Sequence, residues 1–361
     1  MPARHRLSAR TRVAVPALVL IPLVAAGSAP VAHAACGPRP DAAVRIVVAA
    51  DGSGDATTAQ EAVDLAPAHS AGRVEIVFEP GVYAGRVEVD AAHPNLSFVG
   101  GTGDPHDVVL TDDRAAGTPK PGGGTWGTTG SATVTVKGAG FRARGVTFEN
   151  AFDEAAHPEF GGHQAVAVKT AADKVVFDDV RFLGNQDTLY LDSPSATTPA
   201  RVYVHDSYIE GDVDFVFGRA TAVVDDSTIR ALPRDSDPSG YVLAPSTSRE
   251  FERGFLLIDS RIVSDAPAGS YYLGRPWHPS SAPDNDPRVV VRDTTLGAFL
   301  KEDPWTTMSG YDWNEGSAAE YDNHGAGAVV NEHRPQLSDA QAADHEIEDY
   351  LSGSDGWSPQ R

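Results

Sequence analysis

Two aspartates set among β-forming residues are the groups in this chain best suited to chemistry. Asp187 lies in Gly184-Asn185-Gln186-Asp187-Thr188-Leu189-Tyr190, and Asp214 in Asp212-Val213-Asp214-Phe215-Val216-Phe217-Gly218. A carboxylate in such a run is costly to desolvate unless it is paired, hydrogen-bonded or open to a groove. Two of them with amides nearby suggest a site where one ionises and the other keeps its proton. Strand alternation puts Asp187, Leu189 and Leu191 on one face, and Gln186, Thr188 and Tyr190 on the other. Two more groups stand out. His163-Gln164-Ala165-Val166-Ala167-Val168 places an amide at the head of an apolar run, and Leu273-Gly274-Arg275-Pro276-Trp277 sets a guanidinium beside an indole. Together these are the parts of an ester hydrolase that uses no serine. A carboxylate attacks an acyl carbon directly. A second, protonated carboxyl serves the leaving alcohol and then activates water. Two Gln amides donate to the oxyanion, an Arg holds a carboxylate ionised through a bidentate pair, and Trp offers a sugar ring a flat face. Taken singly, each has a plainer use: Gln164 and Gln186 as satisfied amides, Arg275 in a surface ion pair, Trp277 in a core.

Something must hold these groups together, and the chain supplies mainly short strands. From Arg73 onward β-rich runs are punctuated by Gly, Asp and Asn. A motif recurs: an apolar run, a turn residue, then an aliphatic or aromatic position. Val202-Tyr203-Val204-His205-Asp206-Ser207-Tyr208-Ile209 and Ala222-Val223-Val224-Asp225-Asp226-Ser227-Thr228-Ile229 are examples. The spacing, roughly 20 to 35 residues, is that of a solenoid. Tight two-residue hairpin turns do not cluster, which favours an all-β single-stranded parallel β-helix over a sandwich. Thr58-Ala59-Gln60-Glu61 has the form of a capping box opening a helix to about Leu65, where Pro67 ends it. A second helix is expected over Ser338 to Leu351, so short helices close both ends. Gly117 to Gly130, Asp265 to Ser270 and Ser280 to Pro287 read as projecting loops. No linker divides residues 35–361, which read as one catalytic domain.

The first 34 residues read differently. Arg4, Arg6, Arg10 and Arg12 precede the apolar run Val13 to Ala26, and Ala32-His33-Ala34 supplies a small-x-small signal. This is the pattern of a secretory signal peptide cut after Ala34, with no later stretch apolar enough to span a bilayer. Loss of its four arginines takes the formal net charge from -21 to -25. So acidic a protein is a poor partner for nucleic acid or an anionic membrane. The single Cys36 rules out an internal disulfide. It follows the cleavage point closely enough to carry a lipid, but His33 stands where lipoprotein signals have an aliphatic residue, which argues against an anchor. There is no G-x-S-x-G elbow, H-E-x-x-H, thiolate zinc cluster or P-loop, and His157 and His163 read as solvated, not as metal ligands.

On these motifs the sequence resembles the pectin methylesterase (pectinesterase) family of bacterial secreted carbohydrate esterases, which share a right-handed parallel β-helix. The resemblance runs from Asp51-Gly52-Ser53-Gly54 to Trp357-Ser358-Pro359. It implies Asp214 as nucleophile, Asp187 as general acid and base, Gln164 and Gln186 as oxyanion donors, and Arg275 as the partner of Asp214. Phe217, Trp277 and Tyr190 resemble the family's subsite aromatics, and Trp305 and Met308 a further substrate-contact segment. The implied reaction converts a galacturonosyl methyl ester of pectin to a carboxylate and methanol in a monomer, with neither cofactor nor metal. Three departures stand out. Gly81-Val82-Tyr83 is followed by Ala84-Gly85 where the family often has Glu, Ser193 to Ala200 resembles an inserted loop, and Ser207 to Asp214 is also similar to a branch described as acyl-CoA thioesterases. Rival readings are therefore a thioester hydrolase on the same fold, a β-helical pectate lyase or polygalacturonase, and a non-catalytic carbohydrate-binding β-helix. The charge adds one expectation: methylated stretches of pectin are preferred, because the de-esterified polymer is a polyanion.

Overall fold

The structure, a computed structural model, describes residues 42–282 and 284–359. The leader and Cys36 lie outside the described residues. Among these residues the strands gather into three parallel sheets of ten, eight and seven strands. The chain visits the sheets in rotation. Arg73–Phe78 joins the ten-stranded sheet, Gly81–Ala84 the eight-stranded one and Val87–Val89 the seven-stranded one, before Leu96–Gly100 returns to the first. Each strand pairs in register with its counterpart one turn on, as Val74 with Leu96 and Val87 with Val134. This is a parallel β-helix. Turn length is uneven: Ala222 pairs with Val202, twenty residues back, but Arg142 pairs with Ser97, forty-five residues back. The excess in that long turn includes the loop at Gly117 to Gly130, which runs into a helical turn at Gly127–Ser131.

The recurring motif has a conformational cause. Asp179, Asp206, Asp226, Asp259, Asp293 and Asp322 all have φ between +43° and +53°. Each follows a strand of the ten-stranded sheet and turns the chain toward the next. Asp tolerates the left-handed region better than most residues, so it serves where Gly would otherwise be needed. A hydroxyl ladder satisfies the backbone beside these turns. The Ser207 and Ser227 hydroxyls donate to the carbonyls two residues back, at 2.7 and 2.8 Å, while Ser207 N–H donates to Ser227 Oγ (3.1 Å) and Ser227 N–H to Ser260 Oγ (3.0 Å).

Inside the solenoid Phe78, Phe98, Phe141 and Phe177 pack edge-on or tilted from turn to turn with ring centroids 5.1 to 6.1 Å apart. Phe177 also meets Phe148 and Phe182 edge-on. Truncating this fully buried ring leaves a cavity the stacked turns cannot close, so Phe177→Ala is expected to cost about 3–5 kcal/mol. The measurement is a urea unfolding curve, with a lower midpoint at unchanged slope.

The first helix, Ala59–Leu65, has the expected capping box between Thr58 and Glu61 and buries Ala59, Ala62 and Val63 in the core. The C-terminal segment departs from expectation. In place of one helix there are two, Asp339–Ala342 and Ile347–Leu351. Arg292 accounts for the break: its Nη1 donates to the carbonyls of Ala342 (2.9 Å) and His345 (3.0 Å) and to the Glu346 carboxylate (2.9 Å), drawing those acceptors out of a continuous helix. Tyr350 and Leu351 then cover a second apolar cluster on the outer face of the ten-stranded sheet, formed with Val176, Tyr203, Val223, Leu256, Ile258 and Val290.

Candidate active site

The outward face of the seven-stranded sheet collects the expected groups. In the strand Leu189–Leu191, Leu189 and Leu191 enter the core while Tyr190 joins an outer aromatic cluster, as alternation requires. Asp187 does not follow that alternation. Its φ is +68°, so it leaves the pattern that would have set it beside Leu189 in the core. Asp214 reaches the site by a related device. Within Val213–Gly218, Val213 pairs with Tyr241 but Val216 with Leu243, which inserts one extra residue. This β-bulge sends both Phe215 and Val216 into the core and gives Asp214 a φ of +51°. A non-glycine residue held left-handed costs on the order of 1–3 kcal/mol, and such strain clusters where a side chain must be aimed. Gly218 seals the end of the strand: a Cβ there would lie 2.0 Å from the Leu191 carbonyl oxygen.

Arg275 grips Asp214 with two parallel bonds, Nε to Oδ1 at 2.8 Å and Nη2 to Oδ2 at 2.7 Å. Its guanidinium carbon also sits 3.5 Å from the centre of the Tyr241 ring. Both aspartates are buried, Asp187 being 7% and Asp214 6% exposed. Burial first, then the charge of Asp214, raises Asp187 well above the ordinary carboxylate range, against a smaller opposing pull from Arg275. Burial also raises Asp214, but its bidentate bonds to Arg275 and that residue's charge work the other way. The pair is therefore asymmetric. The surroundings favour the charged form more at Asp214 than at Asp187. Gln164 and Gln186, both half-buried, lie on adjoining turns joined by the Ala165 N–H to Gln186 carbonyl bond (3.0 Å).

Tyr190 stacks on Phe217 at 4.3 Å, and Trp277 meets both edge-on at 5.9 and 5.5 Å. Tyr190 and Phe217 are almost covered while Trp277 is half-buried, so Trp277 offers the accessible surface and the other two support it. Met308 belongs to a tight turn with Ser309 and Gly310, both at positive φ; Tyr311 closes the turn and stacks on His278, next to Trp277, at 3.8 Å. Trp305 is a correction. Its side chain lies in the solenoid core, with Nε1–H bonded to Glu320 (3.1 Å), and not on the groove surface. His163 pairs with Glu154 (3.1 Å), and His157 stacks on Phe160 (4.9 Å). Among the described residues no group of His, Cys, Asp and Glu is placed to hold a metal.

Several neighbours escaped the sequence reading. Tyr241 beneath Arg275 is one. Beneath Tyr190, Lys169 lies 4.1 Å from the ring centre, and Lys169 and Arg219 both pair with Asp192, at 3.1 and 2.7 Å. Only the strand register brings these residues to the site. No local motif marks them.

Fold and site together narrow the class to carboxylic ester hydrolases built on a parallel β-helix. The chain belongs to the pectinesterase family, whose profile matches residues 45–353. It is similar to Pectinesterase A of Dickeya dadantii, with 33% identity over 320 residues that span 80% of this chain and 84% of that protein. It is likewise similar to a pectinesterase of Ralstonia solanacearum, at 34% over 316 residues covering 78% and 79%. Among solved structures, pectin methylesterase PemA from Erwinia chrysanthemi superimposes with a TM-score of 0.78 at 32% identity, covering 88% of this chain and 97% of that one. A pectin methylesterase in complex with a hexasaccharide gives 0.77 at 32%, covering 87% and 97%.

Proposed function

We propose that this protein hydrolyses the galacturonosyl methyl esters of pectin, with Asp214 as nucleophile and Asp187 as general acid and base. The observation that carries the reading is the bidentate Arg275–Asp214 pair near a buried Asp187 whose surroundings favour its protonated form. A carboxylate oxygen of Asp214 attacks the ester carbonyl carbon, and the negative charge passes to the carbonyl oxygen. The side-chain N–H groups of Gln164 and Gln186 donate to that oxygen. As the tetrahedral centre collapses, Asp187 protonates the methoxy oxygen and methanol departs, leaving an acyl-enzyme anhydride. Asp187, now a carboxylate, takes a proton from water as the water oxygen attacks the same carbon. The bond to Asp214 breaks, leaving the galacturonic acid, a charged Asp214 and a protonated Asp187, and the new acid releases its proton to solvent as it becomes galacturonate. Trp277 supplies a sugar platform, with Met308 at the rim.

Methanol release from highly methylated pectin tests the reading. None from the folded protein would overturn it and turn attention to the thioester branch. Gln164→Ala and Gln186→Ala are each expected to lower kcat about 10²–10³-fold with little change in KM, because the oxyanion exists only on the way to the acyl-enzyme. The proposal includes a monomeric protein exported through the leader, so N-terminal sequencing of exported material should begin at Ala35. No helix among the described residues is long and apolar enough to cross a membrane. The net charge of -25 after cleavage predicts faster turnover on highly methylated pectin at low salt, and the preference should shrink as salt rises. Activity that instead grew with de-esterification at low salt would contradict this expectation.

A further inference from the structure

Behind Arg275 lies a buried ion pair that the reaction itself does not use. Glu320 is 1% and Arg334 2% exposed. Glu320 accepts four hydrogen bonds: from Arg334 Nε (2.9 Å) and Nη2 (2.5 Å), from Asn323 Nδ2 (3.2 Å) and from Trp305 Nε1 (3.1 Å). The third nitrogen of Arg334 donates to the Gly327 carbonyl at 2.6 Å. An ion pair this deep gains little over well-packed apolar side chains, since desolvation consumes most of the attraction. Its clearest output is geometric: it fixes the indole of Trp305.

The far edge of that indole sets the backbone next to Arg275. A Cβ on Gly274 would fall 2.7 Å from Trp305 Cζ3 and 3.1 Å from the Leu243 carbonyl oxygen, so the ring and the backbone are in direct contact. Thr306 N–H donates to the Gly274 carbonyl (3.1 Å) and Leu273 N–H to that of Pro304 (2.7 Å), while Arg275 N–H is held by Leu243 (3.0 Å). Arg275, Pro276 and Trp305 also border one small void of only about 10 Å³. We propose that Trp305 and Glu320 are positioning residues for the nucleophile: the buried Glu320–Arg334 pair locks the indole, the indole seats Gly274, and Gly274 delivers Arg275 to Asp214 in bidentate register. This rests on the reading of Asp214 as nucleophile. It gives Trp305 a role without substrate contact.

The prediction concerns the acid limb of kcat/KM, because that limb reports how well Arg275 keeps Asp214 ionised. Trp305→Phe keeps an aromatic ring but removes the N–H and the Gly274 contact. The acid limb should move to higher pH by about half a unit or more, equivalent to about a threefold loss on the limb, with KM little changed. Glu320→Gln should do the same. If it fails to fold with Arg334 left unpaired, Trp305→Phe carries the test alone. Phe177→Ala is the control for lost stability as such, and its acid limb should coincide with wild type. A Trp305→Phe enzyme with the wild-type acid limb overturns the proposal, as does Phe177→Ala moving the limb equally. Wild type and Asp214→Ala are assayed alongside: if wild type releases no methanol, or Asp214→Ala remains active, the nucleophile reading falls and takes this inference with it. If those two behave as expected and only the limb stays put, the positioning role alone fails.

Discussion

Asp214→Ala is expected to abolish methanol release, with a fall in kcat/KM of about 10⁴-fold or more, while the protein stays folded. Removing a covalent nucleophile removes the reaction path, since water has no activated position at the carbonyl until the acyl-enzyme has formed. The fold should survive for two reasons. Alanine removes the desolvation cost of burying the Asp214 carboxylate. Arg275, moreover, keeps its stacking on Tyr241 and partial access to solvent when its partner is lost. The check is methanol produced per enzyme over long incubation, with circular dichroism showing the wild-type spectrum. A folded Asp214→Ala enzyme retaining more than about a hundredth of wild-type activity would sink the nucleophile assignment.

Much of the architecture was legible because its cause is local. The repeated apolar run and turn marked a solenoid, and the structure gives the turn residue its reason: a left-handed Asp followed by a hydroxyl that bonds along the stack. The capping box at Thr58 is local too, and it is present as written. What failed depends on partners far along the chain. The break between Asp339–Ala342 and Ile347–Leu351 comes from Arg292, some fifty residues upstream. The chemistry-bearing types at Asp187, Asp214 and Arg275 were visible, but their aim was not. Alternation assigned Asp187 to the same face as Leu189, and the actual exit from the core requires a positive φ at Asp187 and a bulge at Asp214. Neither has a sequence signature when the residue is Asp and not Gly. Trp305, which the resemblance placed in a substrate-contact segment, has its N–H claimed by a buried carboxylate fifteen residues on, and no local motif marks that contact.

Asp187→Asn should separate the cost of the site from its function. Asparagine preserves the shape but has no proton to give methoxide and no base to offer water, so kcat should fall about 10²–10⁴-fold, and the alkaline limb set by Asp187 should vanish from the residual activity. Stability should move the other way. In wild type the folded-state pKa of Asp187 is raised by burial and by the Asp214 charge. Below the ordinary carboxylate pKa both folded and unfolded chains hold this proton, and Asp187 brings no penalty. As pH rises past that value the unfolded chain ionises while the folded one does not, so unfolding releases a proton and wild type loses stability until the folded group itself titrates. Asparagine does not titrate and escapes that loss. The variant should therefore be more stable than wild type by on the order of 1 kcal/mol near neutral pH, a gain common when a strained active-site group is relieved. The gain should shrink toward pH 3. Urea midpoints for the two proteins at both pH values decide it. A difference that does not change with pH would mean that Asp187 is not held protonated by its surroundings, and the division of labour between the two aspartates would have to be reversed or abandoned.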